Sequence, residues 1–127
     1  AGQVLNAQVE GCLNKALVFA DGAGDAVTVK VGGIVGDLGE NSSVRNSKHY
    51  GVVYPKIYGS TTKPEYKVLT SGGIAGISAK GAVIDGCGFG GQLKGADEAH
   101  TFDMKLDNVC SDKNFSSSTP NYLWDGK

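Results

Sequence analysis

The chain has 127 residues, which fits a single domain, and 40% of them are hydrophobic, which is enough for one buried core. The formal net charge is −1 and no basic block is present, so a nucleic-acid partner is not expected. No apolar run approaches the roughly 18 residues that a membrane span requires. The 20 glycines, about twice the usual share, indicate many turns or closely packed backbone.

Residues 7–18 contain a segment that recurs, in altered form, twice further along the chain. It contains Val9-Glu10-Gly11-Cys12, followed by Ala16-Leu17-Val18. Two interpretations stay open for residues 1–6. Either the chain is a fragment of a longer array, or these residues form a modified end coil. A glycine-rich turn comes next, and residues 26–31 then alternate valine with polar side chains, which predicts a half-buried strand.

A glycine motif organises the rest of the chain. Gly32-Gly33-Ile34-Val35-Gly36 returns 40 positions later as Gly72-Gly73-Ile74-Ala75-Gly76. The segment after each copy also returns in register, because Val44-Arg45-Asn46-Ser47 corresponds to Ile84-Asp85-Gly86-Cys87. Internal repeats of this length are typical of solenoids. The repeat units span about residues 7–31, 32–71 and 72–106.

The last unit decays after residue 106. In residues 107–112, Val109 matches Ile34 and Asp112 matches Asp37, but the glycines are gone. The chain then ends with Tyr122-Leu123-Trp124 and three further residues. A decayed, bulky terminal repeat is typical of a cap, so residues 107–127 are predicted to form one.

The predicted fold is a single all-β domain. It is a right-handed parallel β-solenoid (β-helix) of about three coils, with protruding hairpin or loop excursions and a degenerate C-terminal cap. No helical periodicity persists over three turns, whereas short strand patterns separated by Gly, Asn and Ser dominate. Residues in the same repeat register should be buried and stacked in columns, with Ile34 over Ile74 and Val44 over Ile84. The expected core residues are Ile34, Val44, Val53, Ile74, Ile84 and Leu93.

The odd number of cysteines argues against a full disulfide framework, and Cys12 and Cys87 are predicted to be reduced and buried. These two occupy equivalent repeat positions, with Ser47 between them. Parallel coils rise ~4.8 Å per step, so two steps separate them by ~9.6 Å. That separation exceeds the ~7 Å that a disulfide spans between Cα atoms.

The repeat resembles the GLUG-motif repeats of large bacterial surface and secreted proteins, especially those of gut Bacteroidetes. The likeness rests on the two GG-x-x-G segments, the [IV]-x-[ND]-[CS]-like segments and the subsequent Gly51-Val52-Val53 and Gly91-Gln92-Leu93. It covers about residues 7–112. The resemblance implies a bacterial protein that is secreted or displayed at the cell surface and acts as a scaffold or adhesin-like module. It implies no catalytic residues.

No catalytic or metal-binding motif is evident in the sequence. The two histidines, His49 and His100, fall on different repeat positions, and no nucleophile elbow or HExxH motif accompanies them. The acidic turns lack the spacing of calcium loops, and the cysteines lack that of zinc sites. We therefore expect no enzyme activity, no cofactor and no metal.

The candidate binding residues are Tyr54, Tyr58 and Tyr66, in an excursion at residues 54–70 that is longer than its upstream counterpart. Tyrosine combines a flat apolar face with a polar tip, which suits a glycan or a host or bacterial surface protein. The alternative is that these rings pack back on the flank of the scaffold. The expected function is a structural or adhesive module.

Two other functions stay open. One is a carbohydrate-processing β-helix enzyme, which would need a cleft lined by several charged residues on one sheet face. Glu10, Arg45 and Asp85 hold the same repeat position and form one column of charged side chains. Because the column contains both signs of charge, its members are expected to form ion pairs with each other along the stack. The other is an assembly subunit that associates end to end through open coil edges.

Overall fold

A computed structural model describes residues 1–23, 27–58, 67–94 and 101–127. Over these residues the chain is all-β, with short strands and one 3-10 helix at Leu106–Val109. The strands in chain order are β1 (Gln3–Val4), β2 (Gln8–Glu10), β3 (Leu13–Asn14), β4 (Val18–Ala23), β5 (Val27–Gly32), β6 (Val35–Leu38), β7 (Ser43–Arg45), β8 (Lys48–Tyr58), β9 (Lys67–Gly72), β10 (Ala75–Ser78), β11 (Val83–Asp85), β12 (Gly88–Lys94), β13 (Thr101–Asp103) and β14 (Tyr122–Leu123).

The strands form small sheets in which equivalent parts of successive repeats lie side by side. Two parallel sheets have the orders β1-β6-β10 and β2-β7-β11. A larger mixed sheet has the order β3-β8-β12-β13, with β4 also paired to β8 and β14 to β12. Strands β5 and β9 form a fourth, parallel pair. Val35 pairs with Ala75 and Lys48 with Gly88, so the 40-residue sequence repeat is also the register of the sheets.

The core lies between the sheets and uses the residues that share a repeat register. Val44 is the direct partner of Ile84, and the Ile34 amide donates to the Ile74 carbonyl at 3.0 Å. The expectation that the repeated aliphatic positions are buried and adjacent is therefore confirmed. All six predicted core side chains are buried: Ile34, Val44, Val53, Ile74, Ile84 and Leu93.

Asparagine and glycine occupy one corner of each repeat because the backbone there is left-handed. The equivalent residues are Gly11, Asn46 and Gly86, with φ angles of 67°, 50° and 62°. Most L-residues avoid this region, whereas glycine and asparagine adopt it at little cost. The small third residue of the repeated [IV]-x-[ND]-[CS]-like segment is thus required by the turn into the next strand.

The second glycine of each GG pair makes room for a buried ring. A Cβ on Gly33 would lie 2.3 Å from Cγ of His49 and 2.1 Å from the carbonyl oxygen of Gly73. A Cβ on Gly73 would lie 2.6 Å from Cδ2 of Phe89, which is the register partner of His49. Contacts this short exclude any side chain. The GG pair therefore allows the inner layers to approach each other and the rings to fill the interior.

The segments that leave and rejoin the core are mostly strands. Outgoing β4 and β8 pair in parallel, as do returning β5 and β9. In β5 the predicted alternation is confirmed where side chains are described, because Val29 and Val31 are buried and Lys30 is exposed. In the last repeat, β12 and β13 instead pair antiparallel as a hairpin.

The decayed final segment adds a further layer. The Ile74 amide donates to the Val109 carbonyl at 3.0 Å, just as the Ile34 amide donates to the Ile74 carbonyl. Val109 therefore occupies the repeat position of Ile34 and Ile74, as predicted. The 3-10 helix stands where the earlier repeats have their glycine pair. Strand β14 then extends the mixed sheet, with Tyr122 opposite Gly88.

All three cysteines are free, as predicted for Cys12 and Cys87, but the prediction that Cys12 is buried is wrong. Cys87 and Cys110 are buried, whereas Cys12 is exposed. Cys12 and Cys87 share a repeat position, but Cys12 belongs to the outermost layer of the described residues. Its amide donates to Ser47 Oγ at 3.2 Å on one side, while the other side faces solvent. Equal register therefore does not give equal burial at an edge layer.

Candidate binding face

The outer face of the mixed sheet collects the side chains that the core does not use. Along β8, His49 and Val53 point inward and are fully buried. Between them, Lys48, Tyr50 and Val52 remain partly or fully exposed on the other side. This alternation is the period of two of a strand with one buried face. Equivalent residues of β3, β4 and β12 extend the same outer face.

An apolar groove lies on this face and includes one of the predicted binding residues. It has a volume of about 480 Å³, within the range of roughly 300–1,000 Å³ common for ligand sites. The Phe19 and Tyr54 rings meet edge to face with centroids 5.5 Å apart, and Lys94 Nζ lies 4.9 Å from the Tyr54 ring centroid. The residues that line the groove are Leu17, Phe19, Val52, Tyr54, Gln92, Lys94 and Thr101.

Of the three predicted tyrosines, only Tyr54 has a side chain in the described part of the chain. Tyr54 belongs to β8 and is only 7% exposed, because neighbouring side chains on the face cover its ring. Tyr58 ends the same strand, and its side chain lies outside the described part of the chain, as does the whole of Tyr66. A binding role for these three residues stays a prediction, and the burial of Tyr54 agrees with the alternative in which this ring packs on the flank of the scaffold.

A second feature of the outer face was missed at the sequence level. The Nζ atoms of Lys15 and Lys48 lie 5.4 Å and 5.2 Å from the ring centroid of Trp124. Tyr50 meets the same indole edge to face at 6.4 Å. The signal was present, since Lys15 and Tyr50 hold equivalent repeat positions and Trp124 comes directly after the strand that aligns with β12. The assignment of Trp124 to a cap hid this relation.

The charged column that could have suggested an enzyme is engaged in structural contacts. Arg45 Nη1 and Asp85 Oδ2 form an ion pair at 3.1 Å, as expected for charges that alternate along a stack. Asp85 also accepts hydrogen bonds from the backbone amides of Thr119 and Ser118. The amide of Thr119 is the main reason why the pKa of Asp85 is lowered. Asp85 is thus a stable carboxylate that ties the final layer to β11.

The remaining titratable groups inside the core favour their neutral forms. His49 is fully buried, and burial lowers its pKa. Burial also raises the pKa of the Cys87 thiol, and that of Cys110 to about 11. A neutral imidazole and protonated thiols suit an apolar interior. Over the described residues, no three side chains of the metal-ligating types gather into a site. His100 lies outside those residues.

Comparison of this chain with protein-family models, curated proteins and solved structures finds no match. The resemblance to GLUG-motif repeats therefore rests on the residues alone and stays a prediction. In the described part of the chain, no helix has the length and apolar character needed to cross a membrane.

Proposed function

We propose that this protein is a non-catalytic, GLUG-like binding module of the bacterial cell surface or of a secreted protein. Its scaffold is a right-handed parallel β-solenoid of about three coils with a degenerate cap. The scaffold holds the outer face of the mixed sheet rigid, and this face binds a glycan. The secreted or surface location rests on the GLUG resemblance.

The solenoid is supported by the register of the sheets. Strands β6, β7 and β8 each pair in parallel with the strand 40 positions later, and with an equivalent strand of the first repeat. A chain that meets the same register in three successive sheets advances by one layer per repeat. The glycine pairs and the left-handed corners recur with the same spacing, as stacked coils require.

The single observation that carries the binding role is the groove on the outer face. Its floor is aromatic and aliphatic, and Gln92, Lys94 and Thr101 supply polar groups at its rim. An apolar patch with a few polar groups is the usual composition of a ligand site. Sugar rings present a flat C–H face that packs on aromatic side chains, while their hydroxyl groups require hydrogen-bonding partners.

A glycan array tests this function with the native chain and two variants. Gln92→Ala with Thr101→Val removes rim groups from the groove, whereas Ser111→Ala changes an exposed residue on another part of the surface. We expect binding to at least one glycan class, lost in the groove variant and kept in the control. The proposal fails if the native chain binds no glycan, or if the groove variant binds as the control does.

A second candidate function, end-to-end assembly, is favoured by the outermost strands of the first repeat. Leu5, Leu13 and Leu17 are 58%, 62% and 61% exposed along β1, β3 and their connections. Exposed strand edges with apolar side chains are templates for pairing with another chain. Sedimentation velocity over a range of concentrations, with Leu13→Lys as the variant, tests this. A monomer at all concentrations excludes it.

A further inference from the structure

The feature that the proposed function leaves unexplained is the pair of lysines around Trp124. Lys48 in β8 and Lys15, just after β3, reach the Trp124 ring across β12, which carries glycine at positions 88 and 90. The Tyr122 ring covers the first of these glycines, since a Cβ on Gly88 would lie 2.7 Å from it. The absence of side chains at positions 88 and 90 of β12 thus lets the aromatic residues of the final layer lie against the sheet.

The indole is held in place by the backbone around it. The Trp124 amide donates to the Phe89 carbonyl at 2.9 Å, which continues the parallel pairing of β14 with β12. The indole Nε1 donates to the Lys127 carbonyl at 3.0 Å. Tyr50 packs against the ring edge. A ring that is fixed at its backbone and at its only donor has little freedom to turn away from the lysines.

The two ammonium groups lack a carboxylate partner in the described part of the chain. The ion pairs found there involve Lys30, Arg45 and Lys113 instead. Asp125, the residue after Trp124, accepts from the backbone amide of Lys127. Both ammonium groups lie near one ring centroid, and the indole attracts both cations without neutralising them. An anionic group between them would be attracted by both.

This charge lies next to the apolar groove along the same strands. Tyr50 and Val52 lie two residues apart within β8, so both share the outer face, and Val52 lines the groove together with Leu17. We propose that the face binds a carboxylate-bearing polysaccharide, with a uronic acid carboxylate between Lys15 and Lys48 and neighbouring sugar rings along the groove. This inference rests on the proposed function and names the class of glycan.

The charge of the chain favours a carboxylated sugar over a polyphosphate. A nucleic acid strand carries one charge per nucleotide and needs a basic stripe, but this chain has a net charge of −1. Lys15 and Lys48 beside aromatic rings match a single carboxylate, and the groove next to them matches the flat faces of the neighbouring sugar rings. An acidic peptide would also satisfy the charge, but extended peptides lack the flat apolar face that a groove of this composition contacts.

The test is titration calorimetry with a hyaluronan octasaccharide, which carries a carboxylate on every second sugar, and with the same octamer as its methyl ester. The ester keeps the sugar rings and removes the charge. The variant is Lys15→Gln with Lys48→Gln, and the control is Lys80→Gln with Lys113→Gln, which removes the same charge from exposed positions elsewhere. A glutamate octamer serves as the acidic peptide.

We expect the acid octamer to bind the native chain and the control equally. The Lys15 and Lys48 variant should bind it about two- to thirtyfold more weakly, the combined effect of losing two exposed ion pairs. The ester should show a similar loss, and added salt should reduce the difference. Circular dichroism melts of both double variants should coincide with that of the native chain.

Three results would overturn the inference. They are equal binding of acid and ester, equal affinity of the lysine variant and the control, or tighter binding of the glutamate octamer. If the native chain binds neutral glycans on the array but not the acid octamer, the charge assignment is wrong and the glycan function stands. If it binds no glycan at all, the proposed function itself fails.

Discussion

Replacing Gly33 with alanine should disrupt the packing of the repeats, because the added methyl group has no space. Its Cβ would lie 2.1 Å from the Gly73 carbonyl oxygen and 2.3 Å from Cγ of His49. One neighbour is backbone of the adjacent layer and the other is a fully buried ring, so neither can move without displacing further groups. The strain therefore spreads through the layer interface.

The expected loss is about 3 kcal/mol or more, at the upper end of the ~1–3 kcal/mol typical of overpacked cores. The lower entropy of the unfolded alanine chain offsets only about 0.4–1 kcal/mol of it. Domains are stable by about 5–15 kcal/mol in total, so the variant should lose a large part of its stability. At about 3–6 °C per kcal/mol for a chain of this size, the melting temperature should fall by about 10 °C or more.

The control is Gly2→Ala, because a Cβ there meets nothing within 4 Å and its φ is not in the left-handed region. Urea denaturation monitored by circular dichroism should place this control within about 1 kcal/mol of the native chain. A Gly33→Ala variant with the stability of the control would refute the view that the glycine pairs exist for close packing of the layers.

Three further predictions concern titratable groups. Burial lowers the pKa of His49, so between the two pKa values the unfolded chain binds a proton at this residue and the folded chain does not. The free energy of unfolding should therefore fall as pH drops from about 6.5 towards the pKa of His49 in the folded state. In His49→Phe, which has the ring of the equivalent Phe89, the urea midpoint should depend less on pH between pH 5 and 8. An unchanged dependence on pH would contradict the assignment of this effect to His49. The lowered pKa of Asp85 stabilises the fold above the unfolded value of about 3.9, and this stability is lost as pH falls through the folded value. In thermal melts, Asp85→Asn should therefore cost stability at pH 7 and much less at pH 2, and a loss that does not depend on pH would show that charge is not the cause. Maleimide labelling of the native chain, read by mass spectrometry, should modify Cys12 alone, whereas denatured chain should gain three labels; early labelling of Cys87 would contradict its burial.

The sequence alone predicts the layer register and the core. Residues such as Val44 and Ile84 repeat with their neighbours, and only one alignment matches the glycine, aliphatic and left-handed positions together. Their burial results because each is covered by its own equivalent in the next layer. This reasoning fails for Cys12, because a repeat pattern describes the average layer and carries no information on which layer lies at an edge.

The candidate site is only partly accessible to sequence reasoning, because it depends on contacts between layers rather than within a repeat. Tyr54 was identified, but its burial depends on Phe19 and Lys94 from neighbouring strands. Lys15, Lys48 and Trp124 come from three separate parts of the chain. The glycines at positions 88 and 90 allow Tyr122 and Trp124 to lie close to β12. A glycine in a strand gives no local indication of which side chain will cover it.

The most direct test of the central claim is a measurement of interstrand nuclear Overhauser effects between backbone protons. Stacked layers predict cross-peaks between residues 40 positions apart, in the staggered pattern of parallel strands. The expected pairs are Val35 with Ala75, Val44 with Ile84, and Lys48 with Gly88. Cross-peaks that instead join β6 with β7, or β10 with β11, as antiparallel hairpins within one repeat would contradict stacked layers and the outer face built on them.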